Sequence, residues 1–279
     1  MEQYTTHIKS KTGWFDIDIK ELIEYKDLMY LFFKRNYTTR YKQTILGPLW
    51  LVLNPLITVL LYSVVFGNLA GLSTDGIPQI VFYLASNALW TFFATSLTET
   101  SSTFTANSAI MGKVYFPRLV MPISSVLTGM LDLFIQVGML VVIMIGYAIS
   151  GYHFNIGPTI FLAPVIVIQA GILGLGCGII IAALTTKYRD LVVLVGFGVQ
   201  LWMYASPVVY TIGLIPEKYR FLYLMNPMAP LIECWRCAVL GSGKFLWRYW
   251  GISWIITLIV LFIGIVLFSR IEKTFMDTV

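Results

Sequence analysis

The sequence predicts an all-α integral membrane protein with six transmembrane helices, and three observations lead to that fold class. Of the 279 residues, 58% are hydrophobic, only 12% are charged, and the mean hydropathy is +0.79. This charge content is about half that of an ordinary soluble domain, too little to cover a water-exposed surface. The charged residues are also separated by long uncharged stretches. Backbone polar groups must be paired inside a bilayer, so stretches of this length favour transmembrane helices.

Six apolar segments approach or exceed the roughly 20 residues that cross a hydrocarbon core. We predict spans over residues 49–70, 78–98, 120–150, 158–184, 191–211 and 249–269. The chain then divides into a cytoplasmic N-terminal segment (1–48), a transmembrane domain (49–269) and a cytoplasmic tail (270–279). The first 48 residues carry fourteen charges and no long apolar run, which predicts no cleavable secretory signal.

Lysine and arginine predict the orientation of these spans. With the N-terminus inside, fourteen of the nineteen lie in cytoplasmic segments, eight of them before residue 43. The other five lie in the long outer segment between spans five and six, and the short outer loops near Asp75 and His153 have none. Because cytoplasmic loops are enriched in positive residues, both termini are predicted to lie inside.

Residues 20–35 predict an amphipathic helix. One helical face carries Leu22, Tyr25, Met29, Phe32 and Phe33, and the opposite face carries Lys20, Glu24, Asp27, Lys34 and Arg35. A helix of this kind lies along a membrane surface, here the inner one. The alternative is a soluble helix held by a partner protein.

Two connecting segments are too long for simple turns. The cytoplasmic loop 99–118 contains SAIMGKVYFPR, and Pro117 stops a helix there, so it is either a short helix on the membrane face or a passive connector. The outer segment 215–248 has apolar runs of about a dozen residues, too short to span and interrupted by Pro216, Pro227, Pro230 and Gly241. Re-entrant or interfacial helices are predicted, serving as a lid or as outer-leaflet packing.

Catalytic, nucleotide and metal chemistry are not indicated. The nearest approach to a phosphate loop, at residues 241–244, lacks the first glycine and the final Ser or Thr. Cys234 and Cys237 form an isolated C-x-x-C, and three cysteines with two histidines predict neither a disulfide framework nor a zinc site. The basic residues are scattered between apolar stretches, which argues against a nucleic-acid partner.

Polar and aromatic residues inside the spans are the remaining candidates. Asp132 lies within span three with Gln136 one turn beyond, and the pair is either an interhelical hydrogen bond or a relay or substrate contact. Aromatic rings near the outer ends of spans pack in interfacial belts or stack on sugar rings. The candidates for stacking are Tyr62, Phe66, Trp90, Trp202, Tyr204 and Tyr210.

Five phrases in order resemble the membrane subunits of ABC-2 type exporters for polysaccharides, which include O-antigen and capsule permeases and their teichoic-acid relatives. They are RYKQTILGPLWLVLNP (40–55), KVYFPRLVMP (113–122), KYRDL (187–191), SPVVY (206–210) and LMNPMAPLIECWR (224–236). The phrases run across nearly the whole chain. No single phrase is decisive, but their shared order is specific.

The resemblance implies a permease subunit of the bacterial inner membrane and not an enzyme. Two copies would act with two separate ATPase subunits, which bind ATP and Mg²⁺, so that this chain holds no cofactor. On this resemblance, the amphipathic helix is an interface helix and the outer helices form a gate. Tyr62, Phe66 and Trp202 would line a channel for a lipid-linked glycan. The glycan would move from the cytoplasmic to the outer face of the inner membrane, with membrane lipids around the protein. The ATPase-coupling loop would consist of Asn107, Lys113, Tyr115, Phe116, Pro117 and Arg118.

Three other functions stay open from the residues. An ABC-2 exporter of drugs or lipids shares the six spans but usually lacks the VYFPR and KYRD phrases. A membrane-embedded transferase acting on a lipid-linked sugar needs clustered acids or histidines at one membrane face. A secondary carrier needs more intramembrane polar groups than the single carboxylate of Asp132.

Overall fold

The structure is a computed structural model that describes residues 19–42, 44–111, 116–185 and 191–275. Over these residues the protein is helical and contains no strand, which confirms the predicted all-α class. The α-helices are α1 (Ile19–Glu24), α2 (Lys26–Tyr41), α3 (Trp50–Tyr62), α4 (Gln79–Ser101), α5 (Thr103–Met111), α6 (Val120–Ile149), α7 (Ala163–Thr185), α8 (Leu191–Tyr204), α9 (Glu217–Leu224), α10 (Met228–Leu240) and α11 (Trp247–Phe275). Shorter turns of 3₁₀ or π helix are Gly47–Leu49, Ser63–Leu69, Pro158–Leu162 and Ile212–Leu214.

Five helical segments within the described residues are long and apolar enough to cross a membrane. They are Gly47–Leu69, Gln79–Ser101, Val120–Ile149, Pro158–Thr185 and Trp247–Phe268. The fifth predicted span is shorter than expected, because α8 has 14 residues. At 1.5 Å per residue it is about 21 Å long, against a core of about 30 Å. The helix ends before Pro207, which disfavours helical backbone at the residue preceding it.

Helix α4 forms the centre of the bundle, where α3, α6, α7 and α10 pack around it. Small residues let α7 approach it closely: a Cβ added at Gly178 would lie 2.5 Å from Thr100 Cβ, and one added at Gly174 would lie 2.8 Å from Ser96 Cβ. On its other side α7 meets α11, where Gly176 lies against the backbone of Leu261. The small residues Gly174 and Gly178 on one side of α7, and Gly176 on the other, therefore form two contact surfaces of one helix.

The predicted amphipathic helix is divided into α1 and α2 by a turn at Tyr25 (φ −86°, ψ 18°). Its inner face packs on the bundle through five side chains: Leu22, Tyr25, Leu28, Met29 and Phe32. Phe33 is half-buried beside Tyr30. Helix α2 continues to Tyr41, since no proline or glycine interrupts residues 26–41.

The segment predicted to lie on the outer side contains α9 and α10, two short helices before the last span. Helix α9 exposes Phe221 and Leu222. Helix α10 is almost completely buried among α4, α7 and α11, and it ends at Gly241 in a left-handed conformation (φ +70°). A Cβ at Gly241 would collide with the carbonyl of Asn155, so glycine is required for this close approach.

Candidate functional site

The first candidate site is the face where α2 and α5 meet the bundle. Buried apolar side chains join these helices to α6, α7 and α11, and we call them the phenylalanine cluster: Phe32, Phe104, Phe116, Val120, Met121, Ile179, Ala182 and Phe268. The ring centroids of Phe32 and Phe116 lie 5.7 Å apart, and those of Phe104 and Phe268 lie 5.2 Å apart. Because protein interiors are close-packed, a displacement of α5 is transmitted to the ends of several helices.

A polar contact also joins α5 to α2. Arg35 Nη2 donates to Asn107 Oδ1 at 2.7 Å, while Asn107 Nδ2 donates to the carbonyl of Thr103 at 3.0 Å. The Arg35 guanidinium lies 4.8 Å from the centroid of the Phe32 ring. Asn107 is therefore held from both sides, and the amphipathic segment and the short helix of the 99–118 loop form one connected surface.

The other predicted coupling residues lie just before α6 or outside the described part of the chain. Phe116 is buried in the phenylalanine cluster, Pro117 is half-buried, and the side chain of Arg118 is buried. Lys113 and Tyr115 lie outside the described residues, as does most of the KYRDL phrase. Phe116, Pro117 and Arg118 therefore anchor the end of the 99–118 loop to the bundle instead of projecting from it.

The second candidate site is a polar group where α2, α4 and α6 meet. Arg40 Nη1 donates to Asp132 Oδ2 at 2.6 Å, and Arg40 Nη2 donates to Glu99. Gln136 is only 4% exposed, and neither its Oε1 nor Asp132 Oδ1 has a hydrogen-bond partner among the described residues. Asp132 thus pairs with a cation from the N-terminal segment, a partner that the sequence analysis did not identify.

Replacing Arg40 by glutamine should lower the free energy of unfolding by about 1–3 kcal/mol, because Glu99 and Asp132 would lose their shared donor. Thermal unfolding of the purified protein measures this. Asp132→Asn removes the charge but keeps the side-chain shape, and it should leave the activity of the protein in cells unchanged. A stable Asp132→Asn protein without that activity would instead identify Asp132 as a relay or substrate contact.

The third candidate site is the buried ion pair of α10. Arg236 is 2% exposed and donates to Glu233, to the carbonyl of Pro207 at 2.8 Å and to the carbonyl of Tyr210 at 3.2 Å. Its guanidinium also lies 4.4 Å from the centroid of the Phe82 ring. One side chain therefore joins α10, the turn after α8, and α4.

The neighbouring cysteines are not placed for redox chemistry. Burial raises the pKa of the Cys234 thiol to about 12 and also raises the pKa of Cys237. Reactive thiols have lowered pKa values, so these raised pKa values argue against a redox role. Cys234 is fully buried and packs in the core. The described residues also contain no group of three His, Cys, Asp or Glu side chains that could hold a metal ion.

Asn226 organises the connection between α8 and α10. Its Oδ1 accepts from Trp202 Nε1 at 2.9 Å and from the Met228 amide at 3.1 Å. Its Nδ2 donates to the Ala205 carbonyl and to Ser206 Oγ, both at 3.0 Å. Asn226 therefore caps the start of α10 and closes the turn that follows α8.

The six aromatic residues predicted for the substrate pathway form three local groups. Tyr62 contacts Phe66, Trp90 contacts Trp202, and the Tyr210 hydroxyl donates to the Tyr204 carbonyl. Trp90 is 4% exposed and belongs to the core. Tyr62, Phe66, Trp202 and Tyr210 are half-buried, and Tyr204 is exposed.

Helices α3 and α8 have outer faces that the described chain leaves uncovered. These faces are mainly apolar but include three exposed polar side chains: Asn54 on α3, and Gln200 and Tyr204 on α8. Gln200 and Tyr204 are four residues apart and share one helical face. An amide exposed to hydrocarbon is costly, so these faces favour contact with a polar pathway or another subunit over contact with lipid alone.

Sequence reasoning missed four residues of these groups: Arg40, Glu99, Glu233 and Arg236. Arg40 and Glu99 are separated by 59 positions, and no local pattern pairs them. A signal did exist for the α10 pair. Two opposite charges three residues apart in an otherwise apolar helix predict mutual pairing, because an unpaired buried charge is expensive.

Span-length apolar helices, joined by hydrogen bonds at both ends of the bundle, define a multi-pass integral membrane protein with the short helix α5 at one end. Comparison with known families agrees with this class. The chain belongs to the ABC-2 type transporter family, whose model matches residues 27–240. It is therefore the membrane permease subunit of a transporter and not an enzyme, and it is located in the inner membrane. Members of this family work with a partner ATPase subunit.

Individual relatives extend the similarity over most of the chain. An O-antigen export system permease protein RfbA of Klebsiella pneumoniae is 29% identical over 255 residues, covering 90% of this chain and 94% of the relative. A protein of the same name from Myxococcus xanthus is 30% identical, covering 78% of this chain and 82% of the relative. The polysialic acid transport protein KpsM of Escherichia coli is 26% identical, covering 88% of this chain and 94% of the relative.

Proposed function

We propose that this chain is the transmembrane subunit of an ATP-driven exporter that moves a lipid-linked polysaccharide, such as O-antigen, from the cytoplasm across the inner membrane. The observation that carries the substrate class is the similarity of about nine tenths of the chain to permeases named for O-antigen and polysialic acid export. The O-antigen permeases are the more similar, at 28–30% identity against 26–27%. Export of capsule or teichoic-acid polysaccharide is the neighbouring alternative.

The exporter would contain two copies of this chain and two ATPase subunits, which bind ATP and Mg²⁺. The surface formed by α2 and α5 is the contact for the ATPase, since it is joined to the bundle by both Arg35–Asn107 and the phenylalanine cluster. When the ATPases close, α5 is displaced, and its packing transmits that displacement to α6, α7 and α11.

Six spans would place both termini on one side of the membrane, and contacts define the two ends of the bundle that these spans connect. Thr185, at the end of α7, donates to the Ser101 carbonyl at the end of α4. Tyr152 donates to the Gly76 carbonyl at the opposite end, where Gly241 also lies against Asn155. Near the end of α8, Trp202 contacts Trp90 and Phe93 in the middle of α4. A sixth crossing would therefore consist of the 14 residues of α8 together with the segment that follows it.

The substrate pathway would lie between the two copies, lined by the outer faces of α3 and α8. Asn54, Gln200 and Tyr204 supply polar contacts there, and the half-buried rings of Tyr62 and Phe66 supply stacking surfaces for sugars. Helices α9 and α10 form the outer gate. Trp90 and Trp202 would support the lining of the pathway from inside the subunit, because they pack against each other there.

The coupling surface can be tested with Ile110→Asp, because Ile110 lies in α5 and is 37% exposed. The substitution should abolish co-purification with the ATPase and export of the surface polysaccharide, since a charge would replace an apolar contact. Pull-down from detergent and staining of cell-surface polysaccharide measure the two effects.

Leu214→Asp is the matched control, because Leu214 is exposed in the outer segment and receives the same change. It should retain the complex. Equal co-purification of wild type and Ile110→Asp would contradict the proposed coupling surface. Intact surface polysaccharide in a deletion strain, together with new drug sensitivity, would contradict the proposed substrate class.

A further inference from the structure

A groove of about 460 Å³ runs along α2. Within the described chain it is lined by five residues of this helix and by the residue after its end: Leu31, Lys34, Arg35, Thr38, Thr39 and Lys42. Four of them, at positions 31, 35, 38 and 42, are spaced at intervals of four, three and four residues, so they share one helical face. Phe32 and Arg40 of α2 pack on the bundle and are not among the described lining residues of the groove.

The described lining residues of the groove carry positive charge. Lys34, Arg35 and Lys42 contribute three cations, and no acidic residue is among its described lining residues. Arg40 on the same helix shows the contrast, because two carboxylates pair with it. Arg35 bonds only to neutral amide oxygens of Asn36 and Asn107 among the described residues, and burial lowers its pKa. An anion in the groove would offset that cost of burial.

Apolar side chains and the position of the groove favour a lipid as the source of the anion. Tyr30 and Leu31 are 62% and 60% exposed beside the groove, and Ile23 is exposed one helix earlier. Lys42 lies five residues before the candidate span Gly47–Leu69. The groove is therefore at the level where a lipid headgroup meets the acyl chains.

We propose that this groove binds the two-phosphate headgroup of a cardiolipin-type phospholipid in the cytoplasmic leaflet. Lys34 and Lys42 are eight residues apart, about 12 Å along the helix, and Arg35 and the two threonine hydroxyls lie between them. One phosphate cannot neutralise three cations spread over that length, whereas two phosphates joined by a short linker can. The assignment to the cytoplasmic leaflet rests on the proposed orientation.

A bound lipid of this kind would hold α2 at the membrane surface while α5 moves. Arg35 is shared between the groove and Asn107, so the lipid site is connected to the coupling surface through one guanidinium. The lipid thereby becomes a structural partner of the permease, distinct from the exported glycan.

The test measures lipid binding by the full-length chain, purified in detergent and stripped of lipid. Native mass spectrometry with added cardiolipin should show one tightly bound cardiolipin per chain. The double substitution Lys34→Gln, Lys42→Gln should weaken this binding about thirtyfold, because each lysine near an anionic lipid surface contributes to affinity. Phosphatidylglycerol at twice the molar concentration, which supplies equal charge, should bind less tightly.

The matched control is Lys218→Gln, Lys244→Gln, which removes two exposed lysines from the outer segment and should leave cardiolipin binding unchanged. Equal loss in both double variants, or equal binding of phosphatidylglycerol, would overturn the proposal. Preferential binding of a polyprenyl diphosphate over cardiolipin would also overturn it. Lipid binding is measured without the ATPase and without export. A negative result therefore contradicts the lipid site alone, whereas a negative Ile110→Asp result contradicts the proposed coupling surface.

Discussion

Replacing Arg236 by alanine should lower the free energy of unfolding by about 3–5 kcal/mol, enough to prevent accumulation of the folded permease. The substitution leaves Glu233 as a buried charge without its cation. It also removes the donor for the Pro207 and Tyr210 carbonyls and the contact with the Phe82 ring. Thermal unfolding in detergent, followed by size-exclusion chromatography, measures the loss.

A double variant separates the charge from the packing. Glu233→Gln, Arg236→Met removes both charges and should be less destabilised than Arg236→Ala, because no uncompensated charge remains buried. Arg248→Ala is the control, since Arg248 is exposed in α11 and loses the same side chain type. If Arg236→Ala unfolds at the temperature of wild type, the ion pair does not hold α10 in place.

Replacing Gly178 by leucine should separate α4 from α7 and lower the free energy of unfolding by about 3 kcal/mol or more. Even a Cβ at this position would lie 2.5 Å from Thr100 Cβ and 2.8 Å from the Leu97 carbonyl oxygen. Neither helix can move away without disturbing the central α4. The measured quantity is again the midpoint of thermal unfolding, supported by the yield of monodisperse protein.

Gly138→Leu in α6 is the matched control. A Cβ at Gly138 has no neighbour within 4 Å, and the glycine is exposed on the outside of its helix. The two variants add the same side chain to an apolar helix, so any propensity effect cancels. A Gly178→Leu protein as stable as Gly138→Leu would show that the α4–α7 contact relaxes without cost.

These two predictions concern two different interactions that hold apolar helices together in lipid. Along most of their length, helices gain nothing from hydrophobic burial in a bilayer, so close packing at small residues such as Gly174 and Gly178 must hold them. At one end of the bundle, α10 carries buried charges, and their pairing joins it to α4 and to the turn after α8. A gate built on α9 and α10 would move as a unit only if the Arg236 contacts persist.

Sequence reasoning was most successful where composition over many residues decides the outcome. The long uncharged runs predicted apolar helices at Gly47–Leu69 and Trp247–Phe268, and such helices lie there. It was less successful at α8, where the signal of Pro207 was outweighed by the apolar composition around it. It also joined α1 and α2 into one helix, because the turn at Tyr25 results from packing and has no local breaker residue.

The candidate site shows the same division. Asn107 and Phe116 were predicted for coupling by resemblance. The sequence did not predict that Asn107 accepts a hydrogen bond from Arg35, or that Phe116 is buried against Phe32. Trp90 was predicted as pathway lining from its residue type and position, and only its neighbours show that it lies in the core.

By itself, the sequence determined that the protein is helical and membrane-embedded, because the free energy of placing a segment in lipid depends on that segment's own composition. The tertiary structure decided which charges are paired and which aromatic rings are buried. Arg40 meets Glu99 and Asp132 across distances of 59 and 92 positions along the chain. Such pairings depend on how helices are arranged, and that arrangement follows from the packing of many residues at once.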